Sequence, residues 1–211
     1  VGRVLGKPGG FGITYLGWDS QLATFVAIKE YLPREVAGRH HDHLTVSAHT
    51  NADAEHFRYG LEQFLLEART LAQFDHPNVV RVRTFFQENG TAYLVMDYLQ
   101  GNSLQDHLTT IGGRMTEKMA LDTMLPILEG LFEVHAKGFL HRDIKPQNIY
   151  ISTNGRPILL DFGTARQAMS GLNRGMTTII TPGYAPWEQY HRHGKQGAWT
   201  DIYACAATVY H

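Results

Sequence analysis

The hydrophobic pattern of this chain changes period once, and that change limits the fold more than any other feature. Up to about residue 97 the apolar runs are short and of strand type. Residues 13–18 alternate, Phe25-Val26-Ala27-Ile28-Lys29 is a β-rich run, and residues 79–86 and 92–96 flank Glu88-Asn89-Gly90, a hairpin signal. Val4-Leu5 adds a shorter strand signal ahead of them. One helix interrupts the strands over 54–73. Phe57, Leu61, Phe64, Leu65, Ala68, Leu71 and Ala72 recur there at three- and four-residue steps, and Asp75-His76-Pro77-Asn78 stops the pattern. After the polar stretch 97–102, helical spacing takes over. Thr116 stands as N-cap to a helix over 116–137, with Ala120, Met124, Ile127, Leu128, Leu131 and Val134 on one face and Pro126 expected to kink it. Residues 149–151 and 158–160 suggest a further hairpin around Asn154-Gly155. Residues 34–51 show no period and read as a polar loop. The pattern predicts an α+β chain in two parts: a strand-rich one over 1–97 and a helix-rich one over 98–211.

Composition removes several function classes. Hydrophobic residues make up 43% of the 211 residues, enough for a core, so wholesale disorder is excluded. A formal charge of -1 lacks the electrostatic footprint of a nucleic-acid binder, and no nucleic-acid partner is expected. No apolar run reaches the roughly 18–20 residues that span a bilayer, so this segment is expected to make no membrane contact. The single cysteine, Cys205, cannot close an intrachain disulfide and reads as an inert buried thiol in an apolar helix. His40, His41, His43, His49 and His56 lack the spacing of a metal site. Val1 in place of methionine, and an ending inside an apolar stretch, read as cut ends. The expectation is a cytoplasmic domain, with any membrane anchor left to flanking segments.

Chemistry concentrates in four places. Gly6, Gly9, Gly10 and Gly12 form a glycine-rich turn whose backbone amides can approach a phosphate, although a flexible surface hairpin gives the same composition. Lys29 ends an apolar strand, where a lysine ordinarily lifts its amine into water. Glu67 sits at the edge of the apolar stripe of the 54–73 helix, where an unpaired carboxylate is costly, and an ion pair with Lys29 resolves both positions. The segment His141-Arg142-Asp143-Ile144-Lys145-Pro146-Gln147-Asn148 is the strongest signal. Asp143 can accept a hydroxyl proton, Lys145 can neutralise developing negative charge, and Asn148 can offer an oxygen to a cation. A solvated polar loop is the bland alternative, but these residue types at this spacing arise by chance roughly once in ten thousand such chains. Asp161-Phe162-Gly163 leaves the apolar Ile158-Leu159-Leu160, which places a carboxylate at a strand end suited to Mg²⁺.

Together these residues resemble the protein kinase catalytic domain, of the bacterial serine/threonine (eukaryotic-like) type. Gly9-Gly10-Phe11-Gly12, Val26-Ala27-Ile28-Lys29, Glu67, the His-Arg-Asp segment and Asp-Phe-Gly stand in the family's order. Thr181-Pro182-Gly183-Tyr184-Ala185-Pro186-Trp187-Glu188-Gln189 looks like the end of an activation segment, and Asp201-Ile202-Tyr203-Ala204 like the start of a large helix. The resemblance implies a two-lobed fold: an antiparallel sheet plus one helix, then a mostly helical, incomplete second lobe. It implies phosphoryl transfer from ATP, with Mg²⁺ or alternatively Mn²⁺, to Ser/Thr hydroxyls of protein substrates. Lys29, paired with Glu67, would hold the phosphates, and Asp143 with Lys145 would serve the transfer. Asn148 and Asp161 would bind the metal. Gly6, Gly9, Gly10, Phe11, Gly12, Thr14, Ala27, Met96 as gatekeeper, and Asp97 and Leu99 in the hinge would line the nucleotide. Thr181 would brace Asp143 and Lys145, and Leu71, His141 and Phe162 would form an internal spine. Arg142 would answer phosphorylation at Thr177 or Thr178, with self-association serving autophosphorylation.

The chain also departs from the family pattern. Its glycine turn is one residue longer than usual, Thr14 replaces a valine, and Pro186-Trp187-Glu188 replaces Ala-Pro-Glu. Two alternative functions follow. One is a pseudokinase or nucleotide-binding scaffold, which the intact Lys29, Glu67, Asp143, Asn148 and Asp161 disfavour. The other is a small-molecule phosphotransferase, which the Lys145 spacing and the Thr181-Pro182-Gly183-Tyr184 segment disfavour. Trp187 and Trp199 are expected to pack rather than to meet substrate.

Overall fold

Alternation in the first thirty residues becomes an antiparallel pair. In the computed structural model, which describes residues 2–6, 11–162, 181–191 and 194–210, β1 (Gly12–Asp19) pairs with β2 (Thr24–Tyr31) from Gly12↔Tyr31 to Asp19↔Thr24. Residues 2–5 run along the outer edge of β1, where the Gly2 amide donates to Leu16 O at 2.7 Å and the Leu5 amide to Thr14 O at 2.7 Å. β5 (Val82–Glu88) and β6 (Thr91–Asp97) complete a sheet of order β1-β2-β6-β5. Asn89 at φ 52 and Gly90 at φ 73 make the two-residue turn whose left-handed conformation matches strand twist. Against this sheet packs α1 (Asp53–Leu71), burying Phe64, Leu65, Ala68 and Leu71 as the stripe predicts, together with Glu67.

Two expectations need correction in this first unit. Residues 34–51 are not a plain loop: β3 (Ala37–Arg39) and β4 (Val46–Ala48) pair as a short hairpin. Ala37 and Val46 enter a small core with Ile13 and Leu32. Strands of three residues are too short to carry a period, so only their burial reveals them. Ala72 lies past the helix as its C-cap and is exposed.

The second unit begins with the segment 74–80. Residues 79–86 are therefore not one strand. Val79 makes a parallel bridge to Leu159, and the Val80 amide donates to Leu159 O at 2.9 Å, while β5 starts only at Val82. β7 (Gly101–Ser103), β8 (Ile149–Ser152) and β9 (Pro157–Leu159) form a three-stranded antiparallel sheet, which includes the expected hairpin around Asn154-Gly155. α2 (Leu104–Thr110) has no counterpart in the sequence reading. It is two turns long and buries only Leu104 and Leu108, although its cap is legible: the Asp106 amide donates to Ser103 Oγ at 3.1 Å. α3 (Glu117–Ala136) starts where Thr116 predicts, with the Met119 amide donating to Thr116 Oγ1 at 3.3 Å. α4 (Trp187–Tyr190) is a single turn, and α5 (Ala198–Tyr210) closes the unit. Met124, Ile127, Leu131, Ile144, Ile149, Leu159, Ala204 and Cys205 meet in its core. Burial pushes the Cys205 thiol up to about 12, consistent with an inert group. Among the described residues no helix is long and apolar enough to cross a membrane.

Gly101 tests the second unit. At φ 148, a Cβ added there would stand 2.1 Å from Ile151 O on the neighbouring strand. Gly101→Ala should therefore lower unfolding stability by about 2–3 kcal/mol in urea titration, well beyond an ordinary surface substitution.

Candidate active site

The helix-rich unit builds its polar centre on the segment that follows α3. The chain leaves α3 without regular structure until Pro146, whose fixed φ starts a single 3₁₀ turn, Pro146–Asn148, directly before β8. That turn brings Lys145 and Asn148 onto the Asp143 carboxylate, and Thr181 joins them from far along the chain. Lys145 Nζ lies 3.0 Å from Asp143 Oδ1 and 2.9 Å from Oδ2. Asn148 Nδ2 donates to Asp143 Oδ2 at 2.8 Å and to the Asp143 carbonyl at 2.8 Å. Thr181 Oγ1 donates to Asp143 Oδ1 at 2.9 Å and accepts from Lys145 Nζ at 2.9 Å. Asp143 and Lys145 are each 9% exposed. Thr181 thus bonds to both Asp143 and Lys145.

The backbone beneath this cluster is held by a residue that sequence reasoning took only as a helix start. Asp201, fully buried in α5, accepts the His141 amide at 2.8 Å on Oδ2 and the Arg142 amide at 2.7 Å on Oδ1. His135 Nε2, from the last turn of α3, approaches Oδ2 at 2.8 Å. Burial alone would raise the Asp201 carboxyl. The hydrogen bond with His135, the field of His141 and the two backbone donors outweigh it and hold the group below its ordinary value. A signal for Asp201 did exist: with Ala204, Cys205 and Thr208 it occupies one buried helical face, where an ionisable residue must have partners. Gln189 was missed as well. Its Nε2 donates to the Arg142 carbonyl at 2.9 Å and so fastens the same strained residue, Arg142 at φ 67.

Asp161 follows β9 with φ 49 and is half-buried. Next to it, the buried Phe162 ring lies 4.5 Å from the His141 ring, in keeping with part of the expected spine, and 6.1 Å from Phe74 in a stacked arrangement. His141 Nε2 donates to Leu160 O at 2.9 Å, which leaves Nδ1 to accept the Asp143 amide at 3.3 Å. Burial pushes the His141 imidazole below its ordinary value, against the opposing pull of Asp201 and Asp143. Glu188 has a partner within the unit, since Thr200 Oγ1 donates to its Oε1 at 2.8 Å. Trp187 and Trp199 do not pack as expected. They are 76% and 60% exposed, because neither lies on the buried face of its helix.

In the strand-rich unit, register puts the remaining expected residues on shared strands. Lys29 of β2 stands opposite Thr14 on one side and Leu94 on the other, and Ala27 stands between Leu16 and Met96. Ala27 and Met96 are buried, and Lys29, Thr14 and Leu99 are half-buried. Asp97 accepts Arg83 Nε at 2.6 Å. Glu67 is 3% exposed in α1, and neither it nor Lys29 lacks a partner. Gly6 adopts φ 66, Phe11 O accepts the Leu32 amide at 3.1 Å, and Gly12 opens β1. Gly9, Gly10, Gly163, Thr177 and Thr178 lie outside the described residues. In the histidine-rich segment, His40 Nε2 meets Ser47 Oγ at 2.7 Å and His49 Nε2 meets the Arg34 carbonyl at 3.1 Å. Among the described residues no three His, Cys, Asp or Glu side chains are gathered to hold a metal ion by themselves.

Comparison with known proteins gives a consistent result. The family model described as protein kinase domain matches residues 1–211. The chain is 36% identical over 215 residues to serine/threonine-protein kinase pkn2 of Myxococcus xanthus, a match covering 99% of this chain and 23% of that protein. A solved structure described as the PpkA-294 apo form superposes with a TM-score of 0.91 at 38% identity, covering 99% of this chain and 72% of that one. The Mycobacterium tuberculosis PknI kinase domain shares the fold, with a TM-score of 0.72 at 24% identity over 99% of this chain and 69% of that one.

The shifted groups set the response to acid. Unfolding returns His141 to its ordinary value near 6.5, so below that pH the unfolded chain binds a proton that the native one refuses, and stability falls. The Asp201 contribution is full above the ordinary carboxylate value and is lost as pH drops through and below it. Urea unfolding between pH 7 and 5 should therefore show a loss of up to about 1.4 kcal/mol per pH unit from His141. A His141→Gln variant should show a shallower slope, and equal slopes would remove His141 from the account.

Proposed function

This chain belongs to the protein kinase family, and we propose that it transfers the terminal phosphoryl group of ATP to serine or threonine hydroxyls of proteins. It spans under a third of the curated relative of 36% identity, so the substrates and partners of the whole protein are part of the proposal. The observation that carries the reading is the Asp143 carboxylate, nearly buried and held at once by Lys145, Asn148 and Thr181. A carboxylate fixed in this way can take the proton of an incoming hydroxyl, and the Lys145 ammonium beside it offsets the charge that builds on the transferred group. Residues 1–97 would supply nucleotide binding: Lys29 paired with Glu67 for the phosphates, Gly6 to Gly12 with Phe11 over them, and Thr14, Ala27, Met96, Asp97 and Leu99 around the base. Residues 98–211 would supply the transfer groups.

The donor set of Asn148 and Asp161 suits Mg²⁺, or Mn²⁺ in its place. Both offer hard oxygen ligands, and the Asn148 amide nitrogen is committed twice to Asp143, which leaves its carbonyl oxygen for a cation. Such a cation, when bound, neutralises phosphate charge. We place the activity in the cytoplasm, where ATP is supplied, with a second copy of the chain as one protein substrate.

Arg142 supports regulation by phosphate. Its Nε is buried without a hydrogen-bond partner among the described residues, and its backbone is strained. A phosphate at Thr177 or Thr178 would provide acceptor oxygens for it.

Labelled ATP with a generic protein substrate tests the reading. Asp143→Asn should lower kcat about 100-fold or more while keeping nucleotide binding, and Lys29→Met should abolish transfer. Nucleotide binding without transfer in the unaltered chain would indicate a scaffold. Transfer to amino sugars but not to protein would indicate a small-molecule phosphotransferase. Separately, replacing Thr177 and Thr178 together with alanine should reduce turnover and remove phosphopeptides from residues 171–181; undiminished turnover would reject the regulatory role.

A further inference from the structure

Lys29 has a neighbour that the transfer chemistry does not use. Successive side chains of a strand leave on opposite faces, so Glu30 points away from the face that carries Lys29. Glu30 is fully buried, yet it is a carboxylate. Its Oε2 accepts Arg39 Nη2 at 2.5 Å and the Tyr15 hydroxyl at 2.9 Å, and its Oε1 accepts the Tyr93 hydroxyl at 3.1 Å. Tyr15, Glu30 and Tyr93 belong to β1, β2 and β6, so this carboxylate joins three strands, with Lys29 one residue away.

Arg39 brings the β3–β4 hairpin into the same network. Its Nη2 also donates to the Tyr15 hydroxyl at 3.0 Å, and its Nη1 donates to the Leu44 carbonyl at 3.1 Å. The hairpin is fastened again at its other strand, where the Val46 amide donates to Asn89 O at 2.8 Å, and Asn89 Nδ2 donates to the Tyr93 hydroxyl at 3.2 Å. From β4 the chain runs directly into the helix that carries Glu67: the Asp53 amide donates to Thr50 O at 3.1 Å, and Thr50 Oγ1 donates to Asp53 Oδ2 at 2.6 Å. The first turns of that helix are tied back to β2, because the Tyr31 hydroxyl donates to Phe57 O at 3.3 Å and its ring packs on Phe57 and Phe64 at 5.4 and 5.6 Å. The segment between Lys29 and Glu67 is therefore a strut fastened by an ion pair near Lys29 and by a hydroxyl hydrogen bond and aromatic packing at the helix.

We propose that Arg39 is a positioning residue: by pinning Glu30 it fixes β2 beside Lys29, and through the β3–β4 hairpin it fixes the start of the Glu67 helix, so Lys29 and Glu67 are aligned without an outside signal. This rests on the phosphoryl-transfer reading, in which those two residues serve the nucleotide. Removing Arg39 leaves Glu30 buried with a charge and two phenol hydroxyls only, and the strand must shift or take up water. Phosphate-binding groups lose much of their effect when displaced by about an ångström.

Arg39→Met in the purified chain, assayed well below its melting temperature, should raise the KM for ATP about tenfold while leaving the KM for the protein substrate unchanged. Arg39→Lys, which keeps the charge, should recover most of the loss. A purely structural role would lower the melting temperature and leave both KM values in place. A KM for ATP within twofold of the unaltered chain would overturn the proposal. If Arg39→Met does not fold, the double variant Glu30→Gln with Arg39→Met removes the orphaned charge and is read by the same criterion. Amide exchange gives an arm that does not depend on turnover. Selective loss of protection over residues 57–67 supports the strut, and a uniform or absent change overturns it. Should the unaltered chain transfer no phosphate at all, the kinase reading fails, and the exchange arm still decides the mechanical claim.

Discussion

The helix-rich unit depends on one buried carboxylate receiving two consecutive backbone amides. Residues 139–145 have no regular secondary structure to satisfy their own backbone, and the amides of buried His141 and half-buried Arg142 must find acceptors elsewhere. Asp201 accepts both, and these donors together with His135 hold its carboxyl below the ordinary value despite burial. With the His141 and Arg142 amides fixed, the direction of Asp143 follows, and Arg142 can be held at φ 67, a conformation that a bulky residue does not take unaided. Removing the Asp201 carboxylate would leave the His141 and Arg142 amides and His135 without their acceptor, a change in the class that costs about 3–5 kcal/mol. The loop is stable because a distant helix supplies what its own sequence does not.

On that platform the electrostatics of Asp143 acquire their form. A carboxylate that is to accept a proton must be oriented without being neutralised outright, and its three partners divide that work. Asn148 holds one oxygen through a neutral amide and is itself tied to the Asp143 backbone, so it sets the torsion of the carboxylate. Thr181 adds a neutral donor to the other oxygen, and Lys145 bridges both oxygens with a full charge. Thr181 also accepts from Lys145, so the ammonium is shared between the hydroxyl and the carboxylate. A lysine replaced by arginine at position 145 would not reproduce this, because a planar fork cannot direct donors to three atoms around one point.

How much of this was legible in the sequence follows from the distance over which each interaction acts. Asp143, Lys145 and Asn148 lie within six residues, and a single 3₁₀ turn is enough to gather them, so their chemistry is visible as a string. Lys29 and Thr14 meet by strand register, which alternation and one turn specify. Asp201 and His135 meet across 66 positions, and nothing local announces the contact beyond an acidic residue on an apolar helical face. The β3–β4 hairpin and α2 were missed or read as loop for a different reason: three- and seven-residue elements hold too few apolar positions for periodicity to rise above composition. Trp187 and Trp199 were misjudged because residue type suggests burial on average, whereas position on the helix decides it.

The strand-rich unit solves the opposite problem from Asp201. There the backbone is already satisfied by the sheet, and the buried carboxylate, Glu30, is spent on side chains: one guanidinium and two phenols from three different elements. A neutral residue of similar size at position 30 would avoid desolvation, and buried ion pairs are often no more stabilising than an apolar replacement. What such a replacement cannot do is set direction. Apolar contacts between β1, β2, β6 and the β3–β4 hairpin tolerate small slips, while hydrogen bonds to both oxygens of one carboxylate tolerate almost none. The placement of that directional contact immediately after Lys29, on the far face of the same strand, is what ties the precision of the sheet to the residue whose position the chemistry needs most.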